Sequence, residues 1–465
     1  MLVFVLFIVI VFIFYRFDER SQDDNSTSES AICSDCNVIV VAYDALQATH
    51  VSHLGYGIET TPMIDTLAKQ GVSFGNAISA ASWTVPSYMS IFTGLYPSEH
   101  KVVNKFSLFS KDKKIISNLR ELSPDVQTLA EVFKANGYVT GGFTGDAGVS
   151  TQFGYDKGFD VFTDEKVFGS MENSAGHALE WLEKNKENKF FMFLHGYDSH
   201  GQYKVEDGYK GRFMPADYKG KFKGTSEEQR ILREDGLAKG SVDLTEEDVE
   251  FWLGWYDSKI RDADDRFAEF WQEFEHMGVK NKTIVVVLSD HGTEFYEHKR
   301  FDHGFSLYDE LVHVPLVFTV PGLSAKGIIP NQVTTLDVAP TLFDITGIDP
   351  GQKYKSQMRG KSLLSYLQTG KGESRDVFME TDYRNYTHKR GVRTADGWKF
   401  IWTMETGMKE LYDLKNDPLE TKNMAMENKE ISAKFEKRIE DFIETTGQNL
   451  SGPWSVGCVP VYADQ

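Results

Sequence analysis

The chain has few cysteines and few basic residues for its length. Three cysteines occur among 465 residues, two in the segment CSDC (Cys33 and Cys36) and one near the C-terminus (Cys458). A zinc site at CSDC would need two further soft ligands, whereas an exported protein could hold one disulfide and one spare thiol. Lysine and arginine total 50 against 69 acidic residues, so the formal net charge is −19. This balance argues against a nucleic-acid partner, because phosphate contacts need clustered basic side chains.

The longest apolar run is short for a membrane span. MLVFVLFIVIVFIFY, residues 1–15, would extend about 22 Å as a helix, less than the roughly 30 Å hydrocarbon layer. A basic n-region and a clear cleavage site are both missing, so we expect residues 1–16 to be an uncleaved signal anchor, with a cleaved signal peptide as the alternative. Residues 17–36 have the composition of a linker. We therefore expect an exported protein that is attached to a membrane by this segment and faces the periplasm, the extracellular space or a secretory lumen.

The rest of the chain has a globular composition and no internal repeat. Hydrophobic residues make up 41% of the full sequence and aromatic residues 13%, enough to bury a large core in one or two domains. Because the net charge is negative, an anionic substrate has to be held by local positive charge, such as a metal ion.

Three buried-strand runs end in acidic or imidazole side chains. NVIVVAYDA ends at Asp44, KFFMFLHGYDSH ends at Asp198 and His200, and KTIVVVLSDHG ends at Asp290 and His291. Helix-like segments alternate with these runs, which is typical of a parallel α/β sheet. In such sheets ligands bind beyond the carboxyl ends of the strands, so these side chains are expected to meet at one site.

A threonine lies between the first and second of these runs, in ASWTVPSYMSIFTGLYP. Thr84 stands two residues before Pro86, so it has the position of a helix N-cap. The alternative is that Thr84 takes part in catalysis. Asp44, Asp290 and His291 can hold one divalent cation, and a threonine oxygen brought to that cation becomes a better nucleophile.

An N-terminal region and five later segments, in order, resemble the sulfatases, within the alkaline phosphatase superfamily. The region is residues 38–100 around ASWTVPSYMS, and the segments are LSDHGTEF, LYDELVHVPLVF, TTLDVAPTLFDITGI, MRGKSLLSYL and KELYDLKNDPLETKNMA. The resemblance covers about residues 37–425. It implies an alkaline-phosphatase-like α/β/α sandwich with a mostly parallel central sheet over residues 37–351. A C-terminal subdomain over residues 352–465, with a short antiparallel sheet and a helix, is expected both from its short β-like runs and from the resemblance.

The resemblance also implies roles for particular residues. Asp44 matches the first metal-binding acid, Asp290 with His291 matches the pair that closes the metal site, and Thr84 falls on the nucleophile. His200 resembles the histidine that contacts the ester oxygen or leaving group, and His303 resembles a group that faces the anion. Lys299 is a weaker candidate for that second role, and Arg393 or Lys399 could either touch substrate or be surface charges.

The chain departs from the sulfatase pattern around the nucleophile. Sulfatases oxidise a cysteine or serine to formylglycine, and threonine cannot be converted, so no formylglycine is expected. Tyr88 replaces the motif's arginine, Ala45 replaces a second acid, and FTGDAGVS replaces G-K-x-H. What remains resembles the threonine-nucleophile branch of the superfamily, which contains phosphodiesterases and phosphoglycerol or phosphoethanolamine transferases.

We therefore expect a hydrolase of sulfate or phosphate esters in which Thr84 is the metal-bound nucleophile. Mn²⁺ or Zn²⁺ is favoured and Ca²⁺ remains possible, because Ala45 removes an acid and His291 supplies nitrogen. The substrate would be an anionic ester on a glycan, lipid or small molecule. A membrane-anchored transferase and an inactive glycan-binding protein are the alternatives.

Overall fold

The computed structural model describes residues 32–103, 108–109, 115–117, 121–145, 148–164, 169–201, 212–323, 325–384 and 386–448. The predicted anchor at residues 1–16, most of the linker at residues 17–36, and Cys458 lie outside the described residues. Contacts divide the chain after Ala31, and everything described here belongs to the unit Ile32–Gln465. None of the helices that can be described is both long and apolar enough to cross a bilayer.

The central sheet is mostly parallel, as predicted. Its strands are β1 (Asn37–Tyr43), β2 (Val72–Ile78), β5 (Val139–Thr144), β6 (Val161–Asp164), β7 (Phe190–Gly196), β8 (Thr283–Ser289), β11 (His313–Val314), β12 (Leu316–Thr319) and β13 (Gly327–Thr334). Their order across the sheet is β11, β2, β12, β8, β1, β7, β5, β6, and β13 pairs with β2. Strand β1 pairs in parallel with β7 and β8, whereas β11 and β12 are antiparallel to β2. Two short hairpins complete the first part: β3 (Leu108–Phe109) with β4 (Ile115–Ser117), and β9 (Glu294–Phe295) with β10 (Phe301–Asp302).

Helices cover both faces of this sheet. The helices of the described chain are α1 (Pro62–Gln70), α2 (Thr84–Thr93), α3 (Pro97–His100), α4 (Leu129–Ala135), α5 (Met171–Asn185), α6 (Ser226–Lys239), α7 (Glu246–His276), α8 (Asp309–Val312), α9 (Val338–Thr346), α10 (Gly351–Gln357), α11 (Leu364–Thr369) and α12 (Lys429–Thr445), of which α12 packs on the C-terminal sheet. Short 3₁₀ turns occur at Ala48–His50, Ser52–Leu54, Thr151–Phe153, Lys280–Lys282 and Thr335–Asp337.

The two cores follow from the alternation of side chains along β1. Val38 and Val40 pack into one core with α2, α4 and α9, while Ile39 and Val41 pack into the other with α1, α5 and α7. Every residue of β1 is buried, which explains its continuous run of β-branched residues. The three-layer α/β/α architecture expected from the sequence is confirmed.

The C-terminal part forms a second, antiparallel sheet with one helix. Its strands are β14 (Val377–Tyr383), β15 (Thr387–Arg393), β16 (Trp398–Thr403) and β17 (Met408–Asp413), paired in that order. Helix α12 packs on β15 and β16 through Phe435 and Ile439, which belong to a separate small core. The predicted sheet and helix are therefore present, whereas the boundary at residues 351 and 352 stays a prediction.

Buried ion pairs join this sheet to the segment that follows β8. The Lys399 Nζ is fully buried and lies 2.8 Å from Asp309 Oδ1 and 2.9 Å from Glu420 Oε1. Arg393 Nη2 lies 3.1 Å from Asp309 Oδ2. Lys399 is therefore not the surface charge that the sequence allowed, because it neutralises a buried pair of carboxylates.

Candidate active site

The site forms where β1, β7 and β8 end side by side. Asp44 follows β1, His195 is the penultimate residue of β7, and Asp290 with His291 follows β8. All four side chains are fully buried. Adjacent parallel strands bring their carboxyl ends to the same edge, which is why residues so distant in sequence meet here.

Thr84 enters the site from the first turn of α2. The N-cap of this helix is Trp83, and within the described chain it makes no side-chain capping hydrogen bond. Thr84 instead directs its Oγ1 across the helix start, 3.5 Å from Asp44 Oδ1 and 3.2 Å from His291 Nε2. The alternative interpretation of Thr84 as a cap is wrong, because its hydroxyl points to the strand ends and not to the helix N–H groups.

A hydrogen-bond chain determines the tautomer of His195. The backbone N–H of Gly145 donates to His195 Nδ1 at 3.3 Å, so the ring proton lies on Nε2. His195 Nε2 then donates to Asp44 Oδ2 at 3.3 Å. Asp44 Oδ1 remains directed at Thr84, which leaves that oxygen as the one available to a ligand.

Asp290 and His291 complete a three-ligand cluster with Asp44. Asp290 Oδ1 accepts the backbone N–H of Ala45, while Asp290 Oδ2 has no hydrogen-bond partner among the described residues. His291 Nδ1 donates to the carbonyl of Gly292 at 2.6 Å, so its Nε2 presents a lone pair. That Nε2 lies 3.3 Å from Asp290 Oδ2 and 3.7 Å from Asp44 Oδ1.

This donor set fits a divalent cation. The ligand atoms of the three residues lie within 4.8 Å of one another, and all three residues are buried. A ring N–H donating to a carbonyl, as in His291, is the usual way in which proteins orient a metal-binding imidazole. An unpartnered, fully buried carboxylate oxygen costs several kcal/mol unless a proton or a cation meets it.

The electrostatics of the cluster agree with that fit. Burial raises the pKa of Asp290 well above its ordinary value, and the charge of Asp44 adds to the effect. For Asp44, burial acts in the same direction but is outweighed by the hydrogen bond from His195 and the nearby imidazoles, which hold its pKa below the ordinary value. Burial, together with His303, lowers the pKa of His291. The imidazole is thus neutral, the form that binds metal.

His200 and His303 lie beside this cluster as an imidazole pair. Their ring centroids are 4.6 Å apart, and the ring of His303 is 4.3 Å from that of His291. Asp302 Oδ1 lies 2.6 Å from His303 Nδ1, and Asp302 adopts a positive φ of 86°. A positive φ is unusual for a residue other than glycine and often marks a functional position.

His200 is held by a different contact. Its Nδ1 donates to the carbonyl of Gly201 at 2.9 Å, which leaves Nε2 as an acceptor. Burial, with a further contribution from His303, lowers the pKa of His200 to about 4. Its ring centroid is 6.5 Å from that of His291.

The six residues singled out from the sequence therefore lie in one place, namely Asp44, Thr84, His200, Asp290, His291 and His303. The weaker candidate Lys299 is exposed in the loop between β9 and β10. Asp198 also lies elsewhere, since its Oδ2 accepts the N–H of Met171 at the start of α5. Sequence reasoning missed His195, although its position in KFFMFLHG, at the end of a buried strand, carried the same signal as Asp44.

Two of the three departures from the sulfatase motif, at Tyr88 and Ala45, place uncharged side chains at the site. Tyr88 is fully buried and its hydroxyl donates to the carbonyl of Tyr43 at 3.0 Å. The Tyr88 ring packs edge-on against His195 at 5.1 Å between centroids. Ala45 has a positive φ of 56° and uses its backbone N–H to fix Asp290. Neither position supplies the charge found in the family motif.

Two protein families have sequence models that match this chain. The sulfatase model matches residues 36–348, and the C-terminal model of N-sulphoglucosamine sulphohydrolase matches residues 296–445.

Individual relatives share about a quarter of their residues with it. Arylsulfatase K of Bos taurus is 23% identical over 459 residues, covering 88% of this chain and 81% of the relative. The Delta 4,5-hexuronate-2-O-sulfatase of Bacteroides thetaiotaomicron is 24% identical over 442 residues, covering 88% of each chain. The crystal structure of a phosphonate monoester hydrolase of Agrobacterium radiobacter has the same fold, with a TM-score of 0.69 and 19% identity over 88% of this chain and 96% of that one.

Proposed function

Because the chain belongs to the sulfatase family of sulfuric ester hydrolases, we propose that it cleaves anionic esters with unmodified Thr84 as nucleophile and one divalent cation as cofactor. The observation that carries this proposal is the position of Thr84 Oγ1, 3.2 Å from His291 Nε2 and 3.5 Å from Asp44 Oδ1. The hydroxyl is buried among the three residues that fit a cation, at the start of a helix whose N-terminus favours negative charge.

The cation would be held by Asp44 Oδ1, Asp290 Oδ2 and His291 Nε2, with Thr84 Oγ1 beside them. When bound, such an ion lowers the pKa of a hydroxyl and offsets negative charge that develops during the reaction. Two carboxylates and one imidazole suit Mn²⁺ or Zn²⁺ better than Ca²⁺, which prefers a larger set of oxygen ligands.

The residues of the site divide the reaction into two displacements. In the first, Thr84 Oγ1 loses its proton to solvent and bonds to the sulfur or phosphorus, while the bond to the ester oxygen breaks. The leaving oxygen takes a proton from His303, whose Nδ1 lies 2.6 Å from Asp302 Oδ1. In the second, water gives a proton to His303 and displaces Thr84 Oγ1, which takes a proton from solvent as inorganic sulfate leaves, or a phosphate monoester if the substrate is a phosphodiester.

The charges of the site favour an ester with a single negative charge. Two ionised carboxylates balance one divalent cation, and burial keeps the imidazoles of His200 and His291 neutral. A sulfate monoester or a phosphodiester carries one negative charge, whereas a phosphate monoester carries about two at neutral pH. We therefore place sulfate monoesters first and phosphodiesters second.

The relatives guide the choice of substrate and acceptor. Several are hydrolases of sulfate esters, and one is a hexuronate-2-O-sulfatase, so we propose a sulfated glycan as substrate and water as acceptor. The bond between Cys33 and Cys36 supports an exported location, because disulfides persist outside the reducing cytosol.

A substrate panel with metal-reconstituted protein tests the function. The full chain, stripped with EDTA and reloaded with Mn²⁺ or Zn²⁺, is given nitrophenyl sulfate, bis-nitrophenyl phosphate, nitrophenyl phosphate and a 2-O-sulfated unsaturated uronide. We expect turnover of at least one singly charged ester and little of the phosphate monoester. Mass spectrometry of the peptide containing Thr84 should show an unmodified threonine at rest. A substrate order led by the phosphate monoester would contradict the charge argument.

A further inference from the structure

A second cluster of potential metal ligands lies beyond the active site on the same segment. Glu294 in β9, His298 in the following loop and Glu310 in α8 each present one ligand atom, and these atoms lie within 4.8 Å of one another. None of the three takes part in the reaction proposed above. The cluster contacts the segment that follows the C-terminal sheet, because His298 Nε2 is 3.1 Å from the carbonyl of Glu420.

Glu294 carries one carboxylate oxygen that lacks a hydrogen-bond partner among the described residues. Its Oε1 accepts two backbone N–H groups, from His298 at 2.9 Å and from Arg300 at 2.7 Å. Its Oε2 has no hydrogen-bond partner within the described part of the chain, although the residue is fully buried. A buried carboxylate that is half satisfied in this way calls for a proton or a cation at the second oxygen.

His298 is oriented as a metal ligand would be. Its Nε2 donates to the carbonyl of Glu420, so in the neutral ring the lone pair lies on Nδ1, which faces Glu310 Oε1 at 2.7 Å. The ring is stacked on Tyr308, with centroids 3.6 Å apart. Lone pairs on Nδ1 and on the carboxylate repel each other unless a proton or a cation lies between them. The same pattern of one ring N–H fixed by a carbonyl occurs at His291.

The carboxylates of this cluster outnumber its one imidazole. Glu297 adds a third carboxylate to Glu294 and Glu310, and its charge acts on both of them. The neighbouring buried acids, Asp309 and Glu420, are already paired with Lys399. A divalent ion would neutralise the carboxylates of Glu294 and Glu310 and leave His298 neutral.

We propose that Glu294, His298 and Glu310 bind a second divalent metal ion, of the Zn²⁺ or Mn²⁺ type, that has a structural role. Two carboxylate oxygens and one imidazole nitrogen form a borderline donor set, which suits these ions better than Mg²⁺ or Ca²⁺. The ion would tie β9 and the loop after it to α8, and through Glu420 to the C-terminal sheet. That loop leads into β10 and His303, so the ion would hold the imidazole pair of the active site in place.

Metal stoichiometry tests the site independently of activity. The full chain is stripped with EDTA, titrated with Zn²⁺ by calorimetry, and analysed for bound metal after desalting. We expect two equivalents in the wild type and one in Glu294→Gln and in His298→Gln. Glu294→Gln suits the purpose, because its amide oxygen can still accept the N–H groups of His298 and Arg300. We also expect Zn²⁺ to raise the Tm of the wild type more than that of Glu294→Gln.

Two further variants separate this site from the active site. Asp290→Asn removes an active-site ligand and should also bind one equivalent, while Glu294→Gln with Asp290→Asn should bind none. Glu297→Gln is the matched control, because it removes an exposed charge from the same loop and should keep two equivalents. The inference is overturned if wild-type protein binds a single ion that Asp290→Asn abolishes, since a protonated His298 then accounts for the cluster. A single ion abolished only by Glu294→Gln would leave the inference standing and refute the active-site ion.

Discussion

Nε2 of His195 lies 3.3 Å from Oδ2 of Asp44, and both side chains are fully buried. This hydrogen bond occupies one oxygen of the carboxylate and leaves Oδ1 directed at Thr84. His195 is therefore a positioning residue for Asp44. Replacing His195 should therefore change the affinity for the metal ion first.

Replacing His195 should weaken the active-site ion. His195→Phe keeps a ring beside Phe193 and Tyr88 but loses the donor, so we expect metal affinity to fall by about 10 to 100-fold, as for other groups that orient a ligand. His195→Gln can restore a donor and should recover part of the loss. Calorimetry with Mn²⁺ measures the effect, and His276→Gln, at an exposed site on α7, is the control. Unchanged affinity in His195→Phe would refute the assignment.

Thr84→Ala should abolish activity and leave the fold intact. The Thr84 hydroxyl bonds to Asp44 and His291 and makes no capping bond to its helix within the described chain, so its loss should not carry the roughly 1 kcal/mol cost of a lost N-cap. Activity on the best ester should fall to background, because covalent catalysis is removed. Thr84→Ser should retain part of the rate.

Controls for the Thr84 series are metal content and melting. Both should match the wild type in Thr84→Ala. Near-normal turnover by this variant would exclude the threonine nucleophile. Thr84→Cys should remain an unmodified cysteine by mass spectrometry, because Tyr88 replaces the arginine of the formylglycine motif.

Removal of the active-site ion should abolish turnover reversibly. EDTA-treated protein should regain activity with Mn²⁺ or Zn²⁺ and much less with Ca²⁺, because His291 supplies a nitrogen donor. Asp290→Asn should not regain activity with either ion at concentrations that saturate the wild type. Full recovery with Ca²⁺ alone would contradict the donor-set argument.

Acid should destabilise the protein through His100. Burial, only partly opposed by a hydrogen bond to the carbonyl of Pro86, lowers the pKa of His100 from 6.5 to about 3. The folded state therefore holds this ring neutral, so its contribution to stability is complete above pH 6.5 and falls as the pH drops toward 3. Between pH 7 and pH 5 the wild type should lose about 2 kcal/mol more than His100→Gln.

Denaturant unfolding of the metal-loaded proteins at the two pH values measures this difference. Other buried histidines contribute equally to both proteins, so the comparison isolates His100. If the free energy of unfolding falls equally with pH in both proteins, protonation of His100 does not destabilise the folded state.

Much of the site could be predicted from the sequence, because each acidic residue of its three-ligand cluster directly follows a strand that is recognisable by its apolar run. Asp44 and Asp290 each follow an unbroken apolar run, so their meeting could be inferred from the rule for strand ends alone. The position of Thr84 was left open by the sequence, since Thr followed by Pro fits a cap as well as a nucleophile. Only the direction of its hydroxyl, across the helix start and toward His291, distinguishes the two.

Contacts between distant segments could not be predicted from the sequence. The sequence allowed Lys399 to be a surface charge on a strand. Its burial depends on Asp309 and Glu420, which lie 90 and 21 residues away in the sequence. The second cluster was missed for a similar reason, because Glu310 reaches His298 only once α8 folds back on the loop. Periodicity describes one element at a time, whereas these pairings depend on how elements pack.

The burial of Lys399 limits how the protein can be divided. A fragment ending near residue 351 would retain Asp309 but lose both of its cationic partners, Lys399 and Arg393. Removing one side of a buried ion pair typically destabilises a protein by about 3 to 5 kcal/mol. Recombinant truncation at the predicted boundary should thus give insoluble or protease-sensitive material, and the antiparallel sheet has to accompany the catalytic part in any expression experiment.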